Sequence, residues 1–314
     1  TVLDAMLAPP PYTTKYETEI LAEEQREGYR AKKLCFNLTG YSRVNAYVLI
    51  PDGEGPFPAV VLLHDHGGHY TIGKEKMIRP FGVDKAVLDD ADAWAANCYG
   101  GQYAGDYLAA HGYVVISVDA LYWGERGRKE GADGSKYADN AGNFMMLGRS
   151  LSAFMNYEDM YTTDYLATLP EVDPKRIACM GFSMGGYRAW MLSALSDKIQ
   201  VGAAICWMTT TDCQFSWEYG RERGGFANML PGIRRYLDYP HIASIACPKP
   251  MLFLNGEHDK LFPPIGVRAA FAEMHEVWES RSAGDKLVTE LWDMPHDCGK
   301  KVQAKILDFL NKWL

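Results

Sequence analysis

Apolar and polar positions alternate along most of the chain in a way that separates short strands from longer helices. Residues 31–38 and 44–51 show the two-residue period of a β-hairpin, whereas residues 57–64 are apolar almost throughout, as expected for a strand covered on both faces. From residue 103 onward, helical stretches and short apolar runs follow each other, and the last helix spans 300–314. This order predicts an α/β protein with a mostly parallel central sheet and helices on both faces.

Two segments fall outside this alternation. Residues 1–29 contain prolines and many charges and are expected to form an N-terminal arm, while residues 30–314 are expected to form a single domain. Residues from about 208 to 247 form an insertion between the sixth and seventh predicted strands, which is too long for a simple connection. We expect this insertion to be a lid.

Composition narrows the possible partners. The chain has 314 residues, of which 47% are hydrophobic, so it can bury a large core. Lys and Arg number 32 against 40 Asp and Glu, and the net charge of −8 disfavours nucleic acid and anionic membranes as partners. No stretch reaches the roughly 18 uninterrupted apolar residues that a membrane-spanning helix needs.

The cysteines are typical of a reducing compartment. There are seven, none in a C-x-x-C pair, and the odd count leaves at least one thiol free. We therefore expect a cytoplasmic location. The sequence begins at Thr1 without a methionine, so the alternative of a periplasmic or secreted protein stays open.

A G-x-S-x-G motif carries the strongest chemical signal. Gly181, Ser183 and Gly185 lie between an apolar run and a helical stretch, where a serine on a sharp strand-to-helix turn needs small residues two positions away on each side. The turn would place Ser183 at the start of a helix, whose free N–H groups can stabilise an oxyanion. We interpret Ser183 as a nucleophile.

A nucleophilic serine requires a histidine base downstream. The candidates are His241 in the insertion, His258 in a loop, His275 within a predicted helix, and His296. His296 directly follows the last predicted strand, at the edge of the sheet where sites assemble, so we expect it to be the base.

The orienting carboxylate should come between the serine and the histidine. Asp259 and Glu257 both follow the penultimate predicted strand, after the turn at Gly256. We expect Asp259 to be the acid, with Glu257 as the alternative.

The segments "GFSMGG", "NGEHDKLFPP" and "MPHDCG", together with "GDYLAAHGYVVISVDALYWGERG", resemble the α/β-hydrolase superfamily. The nearest branch is the dienelactone-hydrolase-like group that includes bacterial acetyl xylan esterases and related carbohydrate esterases. The similarity covers roughly residues 30 to 314. Dienelactone hydrolases use a cysteine nucleophile, so the serine at position 183 favours the esterase relatives.

The resemblance also suggests a role for the histidine-rich stretch "HDHGGH". In such hydrolases the loop after the third strand supplies an oxyanion N–H, which here would be that of His66, with the N–H of Met184 as the second donor. Gly67 and Gly68 would let the substrate approach the backbone. The rival interpretation is a metal site formed by the three histidines, His64, His66 and His69. No H-E-x-x-H helix supports it, so we expect no metal.

Four further side chains are candidates for substrate binding. Tyr122 and Trp123 follow the fourth predicted strand, and Trp207 precedes the insertion. We expect these aromatic side chains in the pocket wall and His69 at the pocket mouth or in solvent.

The expected function is that of a serine carboxylesterase for small acyl esters, with acetyl esters of xylan or another carbohydrate favoured by the resemblance alone. No cofactor is implied, and the oligomeric state is left open. The alternatives are a prolyl-oligopeptidase-like serine peptidase, a metal-dependent hydrolase that uses the three histidines, and a binding module without catalytic activity.

Overall fold

One mixed β-sheet organises the chain in a computed structural model that describes residues 9–127, 134–216 and 225–314. Its strands, within these residues, are β1 (Glu19–Arg26), β2 (Tyr29–Asn37), β3 (Arg43–Pro51), β4 (Phe57–Leu63), β5 (Val114–Val118), β6 (Val172–Phe182), β7 (Ile199–Ile205), β8 (Met251–Gly256) and β9 (Leu287–Trp292). Their order across the sheet is β1-β2-β3-β5-β4-β6-β7-β8-β9. Strand β5 lies between β3 and β4 in this order, so β4 pairs directly with β6. The loop after β4 therefore lies beside the loop after β6.

The sheet changes from antiparallel to parallel at β5. Strands β1, β2 and β3 pair in an antiparallel manner, and β3 also runs antiparallel to β5. The remaining six strands, in the spatial order β5-β4-β6-β7-β8-β9, are parallel to one another. Their carboxyl ends therefore meet at one edge, which is where sites assemble in open α/β sheets.

Helices cover both faces of the sheet. They are α1 (Lys85–Cys98), α2 (Ala104–Ala110), α3 (Gly134–Met146), α4 (Leu151–Leu166), α5 (Met184–Leu195), α6 (Thr211–Gln214), α7 (Tyr239–Ala243), α8 (Pro264–Ser280) and α9 (Lys300–Trp313). Val60 and Leu62 of β4 pack in the core shared with α2 and α9, whereas Val61 and Leu63 belong to the core shared with α4 and α5. This alternation follows from the two-residue period of a strand, and it confirms the predicted fold class.

An additional edge strand distinguishes the structure from the prediction. Glu19–Arg26, which we expected in an arm outside the sheet, pairs with β2 as strand β1. All eight of its side chains are exposed or half-buried. Because no residue of this strand is buried in the core, its sequence lacks the apolar alternation that would have predicted it.

The predicted insertion lies between β7 and β8. Residues 217–224 of it are outside the described residues, and the remainder forms α6, α7 and three short 3₁₀ turns. One turn, Phe226–Asn228, is fixed because the backbone N–H of Ala227 donates a 2.7 Å hydrogen bond to the hydroxyl of Tyr137. The function of this segment as a lid stays a prediction.

None of the helices in the described residues combines the length and the apolar character that a membrane span requires.

Candidate active site

Ser183 lies on a sharp turn between β6 and α5. Its backbone has φ 56° and ψ −122°, a strained conformation for a residue with a Cβ atom, with a cost of about 1–3 kcal/mol. A Cβ atom on Gly181 would overlap the backbone of Gly185, and one on Gly185 would overlap the carbonyl group of Leu63. The two glycines therefore allow the close packing that this turn requires.

His296 and Asp259 form a short hydrogen bond. The Nδ1–H of His296 donates to Oδ2 of Asp259 at 2.6 Å, and the other carboxylate oxygen accepts the N–H of Leu261 at 2.8 Å. Asp259 is buried, whereas the His296 side chain is 22% exposed. The two residues follow β8 and β9, whose parallel pairing brings their loops together. Because Nδ1 holds the proton, Nε2 of His296 can accept one.

Ser183 and His296 line one cavity of about 410 Å³ at the carboxyl edge of the sheet. Most of its wall is apolar, and the larger side chains are those of Trp94, Phe182, Met184, Trp207, Leu261 and Phe262. Asn228, from the 3₁₀ turn of the insertion, adds a polar group. A serine, a histidine and a mostly apolar wall thus share one concave site, as is usual for small-molecule pockets.

The alternative base and acid candidates have other partners. The carboxylate of Glu257 pairs with Arg268, at the exposed surface. The other histidines downstream of Ser183 hydrogen-bond elsewhere: His241 to the backbone of Asp238, His258 to Asp293 and His275 to Thr289. The structure therefore brings together Asp259 and His296 from the predicted set.

The loop after β4 faces the same cavity as Ser183. His66, Gly67 and Gly68 line it, and both glycines have positive φ, 62° and 64°. A side chain on Gly67 would collide with the ring of Trp94, so this backbone conformation requires glycine. Met184 also lines the cavity and is the first residue of α5, so its N–H lacks an acceptor within the helix. The start of α5 and the loop after β4 thus both contribute to the wall that Ser183 shares.

His64 connects this loop to the end of β5. Its Nε2 accepts the N–H of Ala120 at 2.9 Å, so Nδ1 carries the proton and donates to the carbonyl oxygen of Asp65, also at 2.9 Å. Burial lowers the pKa of His64 well below its ordinary value, so the ring is neutral. With both nitrogens engaged, the ring supports the loop and offers no lone pair to a metal ion.

The ring of His66 packs among three aromatic rings, those of Tyr70, Trp123 and Tyr137, at centroid distances of 5.5, 4.9 and 5.3 Å. Its Nδ1 accepts the N–H of Gly68 at 3.0 Å. Burial lowers the pKa of His66 to about 4, so this imidazole is also neutral at physiological pH. The aromatic packing fixes the residue whose backbone N–H is the proposed donor.

His69 points away from the other two histidines. Its Nε2 bonds Asp90 at 2.6 Å, and its ring stacks on that of Trp94 at 4.8 Å. Two groups of three donor side chains suited to a metal occur in the described part of the chain, and neither contains these histidines. They are Cys206 with Asp259 and His296, and Glu75 with Asp119 and Glu125. The geometry therefore does not support a metal site in the histidine-rich loop.

A lysine lies among the three carboxylates of the second group, Glu75, Asp119 and Glu125. Nζ of Lys74, which is fully buried, lies 2.7 Å from Glu75, 2.8 Å from Asp119 and 2.6 Å from Glu125. Burial raises the pKa of Asp119 to about 6, against the opposite effect of the lysine. These three carboxylates thus form an ion-pair network with an internal cation.

A second buried lysine supports the loop after β4. Nζ of Lys76 donates to the carbonyl oxygens of Asp65 and His66, both at 3.0 Å, and lies 3.4 Å from the Asp65 carboxylate. That carboxylate also accepts the hydroxyl of Tyr99 at 2.6 Å and the indole N–H of Trp94 at 3.2 Å. Burial lowers the pKa of Lys76, and the Asp65 carboxylate opposes this shift.

The predicted pocket residues separate into two groups. Trp207 lines the cavity and packs on Phe262, with ring centroids 5.3 Å apart. Tyr122 and Trp123 are buried in the aromatic cluster behind His66, and His69 lies behind Trp94. Their side chains are not among those that line the cavity in the described residues.

Several residues in the cavity wall or behind it had no signal in the sequence. Trp94 lies on α1, outside every motif recognised in the sequence, and Asn228 lies in an irregular segment. Lys76 belongs to a short 3₁₀ turn, and a charged residue in a loop is ordinarily expected in solvent. Only the three-dimensional contacts identify these residues.

Comparison with known proteins gives consistent matches over nearly the whole chain. A sequence model described as "Abhydrolase family" matches residues 1–282. The chain is 29% identical over 297 residues to the "Putative hydrolase YtaP" of Bacillus subtilis (strain 168), which covers 94% of this chain and 92% of that protein. A "putative acetyl xylan esterase" from Bacteroides fragilis superimposes with a TM-score of 0.74 at 19% identity, over 93% of this chain and 72% of that one. A glucuronoyl esterase from Solibacter usitatus gives a TM-score of 0.69 at 16% identity, over 98% of this chain and 91% of the other.

Proposed function

The chain belongs to the Abhydrolase family, and on that premise we propose that it is a serine carboxylesterase for small acyl esters, with acetyl esters of xylan or a similar carbohydrate as substrates. The observation that carries this proposal is the 2.6 Å hydrogen bond from His296 to Asp259 beside a cavity that Ser183 also lines. A nucleophile, a base and an orienting carboxylate in this chain order are what acyl transfer in this fold requires.

In the proposed acylation step, the hydroxyl oxygen of Ser183 attacks the carbonyl carbon of the ester. Nε2 of His296 accepts the hydroxyl proton, and the buried Asp259 stabilises the imidazolium. The negative oxygen of the tetrahedral intermediate accepts hydrogen bonds from the N–H groups of Met184 and His66. His296 then returns the proton to the leaving alcohol, and the acyl group stays on Ser183.

Water completes the cycle. It enters the space that the alcohol has left, gives a proton to His296 and attacks the acyl carbonyl carbon. The same two N–H groups stabilise the second tetrahedral intermediate. When it collapses, the bond from the acyl carbon to the Ser183 oxygen breaks, His296 gives its proton to that oxygen, and the carboxylic acid leaves, with no cofactor in any step.

The cavity supports a small ester as substrate. Its volume of about 410 Å³ and its aromatic wall suit a compact acyl group together with a sugar ring, which stacks on aromatic side chains. Trp94 and Trp207 are the largest side chains of this wall. The names of the structural relatives from Bacteroides fragilis and Solibacter usitatus, both carbohydrate esterases, favour the same class.

Substrate profiling tests the proposal. We expect the purified protein to hydrolyse p-nitrophenyl acetate faster than esters of longer acyl chains and to release acetate from acetylated xylo-oligosaccharides. Ser183→Ala should lower kcat by about 10⁴-fold or more. Ser193→Ala, on the same helix α5 and outside the cavity wall, is the matched control and should keep kcat.

Each result has a separate meaning. Hydrolysis that survives Ser183→Ala would contradict the mechanism. A preference for long acyl chains without acetate release from the oligosaccharides would contradict the substrate class, and faster cleavage of a proline-containing peptide would favour a peptidase.

A further inference from the structure

The ammonium group of Lys76 contacts two successive peptide groups in the loop after β4. Its Nζ donates to the carbonyl oxygens of Asp65 and His66, both at 3.0 Å, and its side chain is fully buried. The carbonyl of Asp65 shares a peptide group with the N–H of His66, and the carbonyl of His66 shares one with the N–H of Gly67. One cation therefore binds the oxygen side of two successive peptide groups, whose N–H groups belong to the cavity-lining residues His66 and Gly67.

The planar geometry of the peptide group explains how a contact at the carbonyl oxygen orients the N–H of the same group. Because a trans peptide is planar, its C=O and N–H point to opposite sides. A cation on the oxygen side thus holds the N–H pointing away from itself. It also withdraws electron density through the conjugated group, and hydrogen bonds linked in this way strengthen one another by about 10–30%.

Neutral donors complete the same arrangement. The Nδ1–H of His64 donates to the Asp65 carbonyl at 2.9 Å, and the indole N–H of Trp123 lies 3.3 Å from the His66 carbonyl. The carbonyl oxygen of Asp65 therefore accepts one neutral hydrogen bond and one from the lysine. That of His66 accepts the lysine and two neutral donors, since the backbone N–H of His69 also lies 3.3 Å away. Both carbonyl oxygens therefore have at least two hydrogen-bond donors each, as many as their lone pairs.

We propose that Lys76 is a positioning residue of the oxyanion hole: it fixes the two peptide groups after β4 and polarises their N–H groups toward the charge that develops on the ester oxygen. This inference rests on the proposed function. Lys76 does not line the cavity and touches no substrate, so it acts through the backbone of Asp65 and His66.

Lys74 provides a matched control on the same 3₁₀ turn. It is also fully buried, but its ammonium group pairs with Glu75, Asp119 and Glu125 and has no hydrogen bond to the loop after β4. Lys74→Met removes a buried lysine charge from the same turn. It should lower the stability of the protein while kcat per active site changes by less than about threefold.

The test compares Lys76→Met with the double variant Asp65→Asn/Lys76→Met. The single variant leaves the Asp65 carboxylate buried without its cation, which can prevent folding. The double variant removes both charges and retains hydrogen-bond capacity toward Tyr99 and Trp94. Active-site concentration is measured with a fluorophosphonate, and kcat and KM are measured with p-nitrophenyl acetate.

A transition-state readout separates this role from a merely structural one. A trifluoromethyl ketone forms a tetrahedral adduct with the serine, whose oxyanion needs the same donors. We expect kcat to fall about 10- to 100-fold, less than or equal to the effect of losing a direct donor, with KM changed by less than about threefold. The inhibition constant of the ketone should rise by the factor by which kcat/KM falls.

The inference is overturned if the double variant keeps kcat within about threefold of the parent, or if kcat falls without a parallel rise in the inhibition constant. An equal loss in Lys74→Met also overturns it, because the effect would then be general to the turn. If the parent neither hydrolyses the ester nor binds the ketone, the proposed function itself fails and the role of Lys76 with it.

Discussion

The carbonyl group of Leu63, the last residue of β4, occupies the space that a Cβ atom on Gly185 would need. This contact joins the start of α5, which follows Ser183, to the point where the histidine-rich loop leaves the sheet. The proposed nucleophile and the proposed oxyanion donors are thus held at a fixed separation by backbone packing. Any side chain at position 185 must move one of the two segments.

Gly185→Ala should therefore lower the free energy of unfolding by about 1–3 kcal/mol and abolish most activity, because the added methyl group meets backbone that cannot rotate away. Urea denaturation measures the stability. Gly142→Ala is the control: it lies in α3, where an added Cβ meets nothing within 4 Å, and should stabilise the protein by about 0.5–1 kcal/mol. Equal stability of the parent and Gly185→Ala would show that this packing is not required.

Asp259→Asn should lower kcat by roughly 10³- to 10⁴-fold with little loss of stability, because an amide can donate to Nδ1 of His296 and so favour the wrong tautomer. Steady-state kinetics with p-nitrophenyl acetate measure the loss. Glu257→Gln removes the neighbouring carboxylate, which pairs with Arg268 at the surface, and should leave kcat nearly unchanged. The reverse pattern would assign the acid to Glu257.

Removal of metal ions should not affect activity, because the imidazoles of His64, His66 and His69 are directed to different partners. Dialysis against a chelator, followed by metal analysis and kinetics, measures this. His69→Ala should change kcat by less than about tenfold, since it removes one side chain that stacks behind Trp94. A chelator-dependent loss that Zn²⁺ restores would revive the metalloenzyme hypothesis.

The contribution of His64 and His66 to the stability of the protein should fall as the pH drops below about 6.5. Burial lowers the pKa of His66 to about 4 and that of His64 well below its ordinary value, so the unfolded chain binds more protons at these two residues between pH 4 and 6.5. Each such group contributes stability that is fully present above about pH 6.5 and is lost at up to about 1.4 kcal/mol per pH unit below it.

The variant His66→Phe tests how much the imidazole of His66 contributes to the pH dependence of stability. Phenylalanine keeps the aromatic packing and the backbone N–H but cannot take up a proton. Urea denaturation between pH 4.5 and 7.5 should give a shallower decline in the free energy of unfolding than in the parent. Parallel declines in both proteins would show that His66 does not titrate as the structure implies.

Sequence patterns that extend over a few residues were sufficient to predict the features of the molecule that depend only on neighbouring residues. The strand-turn-helix context of Ser183 and the positions of Asp259 and His296 after successive strands follow from patterns that extend over a few residues. The fold class, which rests on the same alternation, is confirmed.

The sequence could not predict features that depend on distant contacts. Tyr122 and Trp123 follow β5 as expected, but a position at a strand end does not determine whether a side chain faces the cavity or packs behind His66. Lys76 is buried because the carbonyl groups of Asp65 and His66, ten residues or more away, accept its hydrogen bonds. Strand β1 was not predicted because none of its side chains is buried in the core, so its sequence shows no apolar alternation.

The identity of the residue that reacts tests the central claim most directly. The protein is treated with a fluorophosphonate, and the labelled peptide is identified by mass spectrometry. We predict one label per chain, on Ser183, with loss of acetyl-ester hydrolysis in proportion to labelling and no label on Ser183→Ala. Labelling at another residue, or full hydrolysis by protein that carries the label on Ser183, would contradict the account.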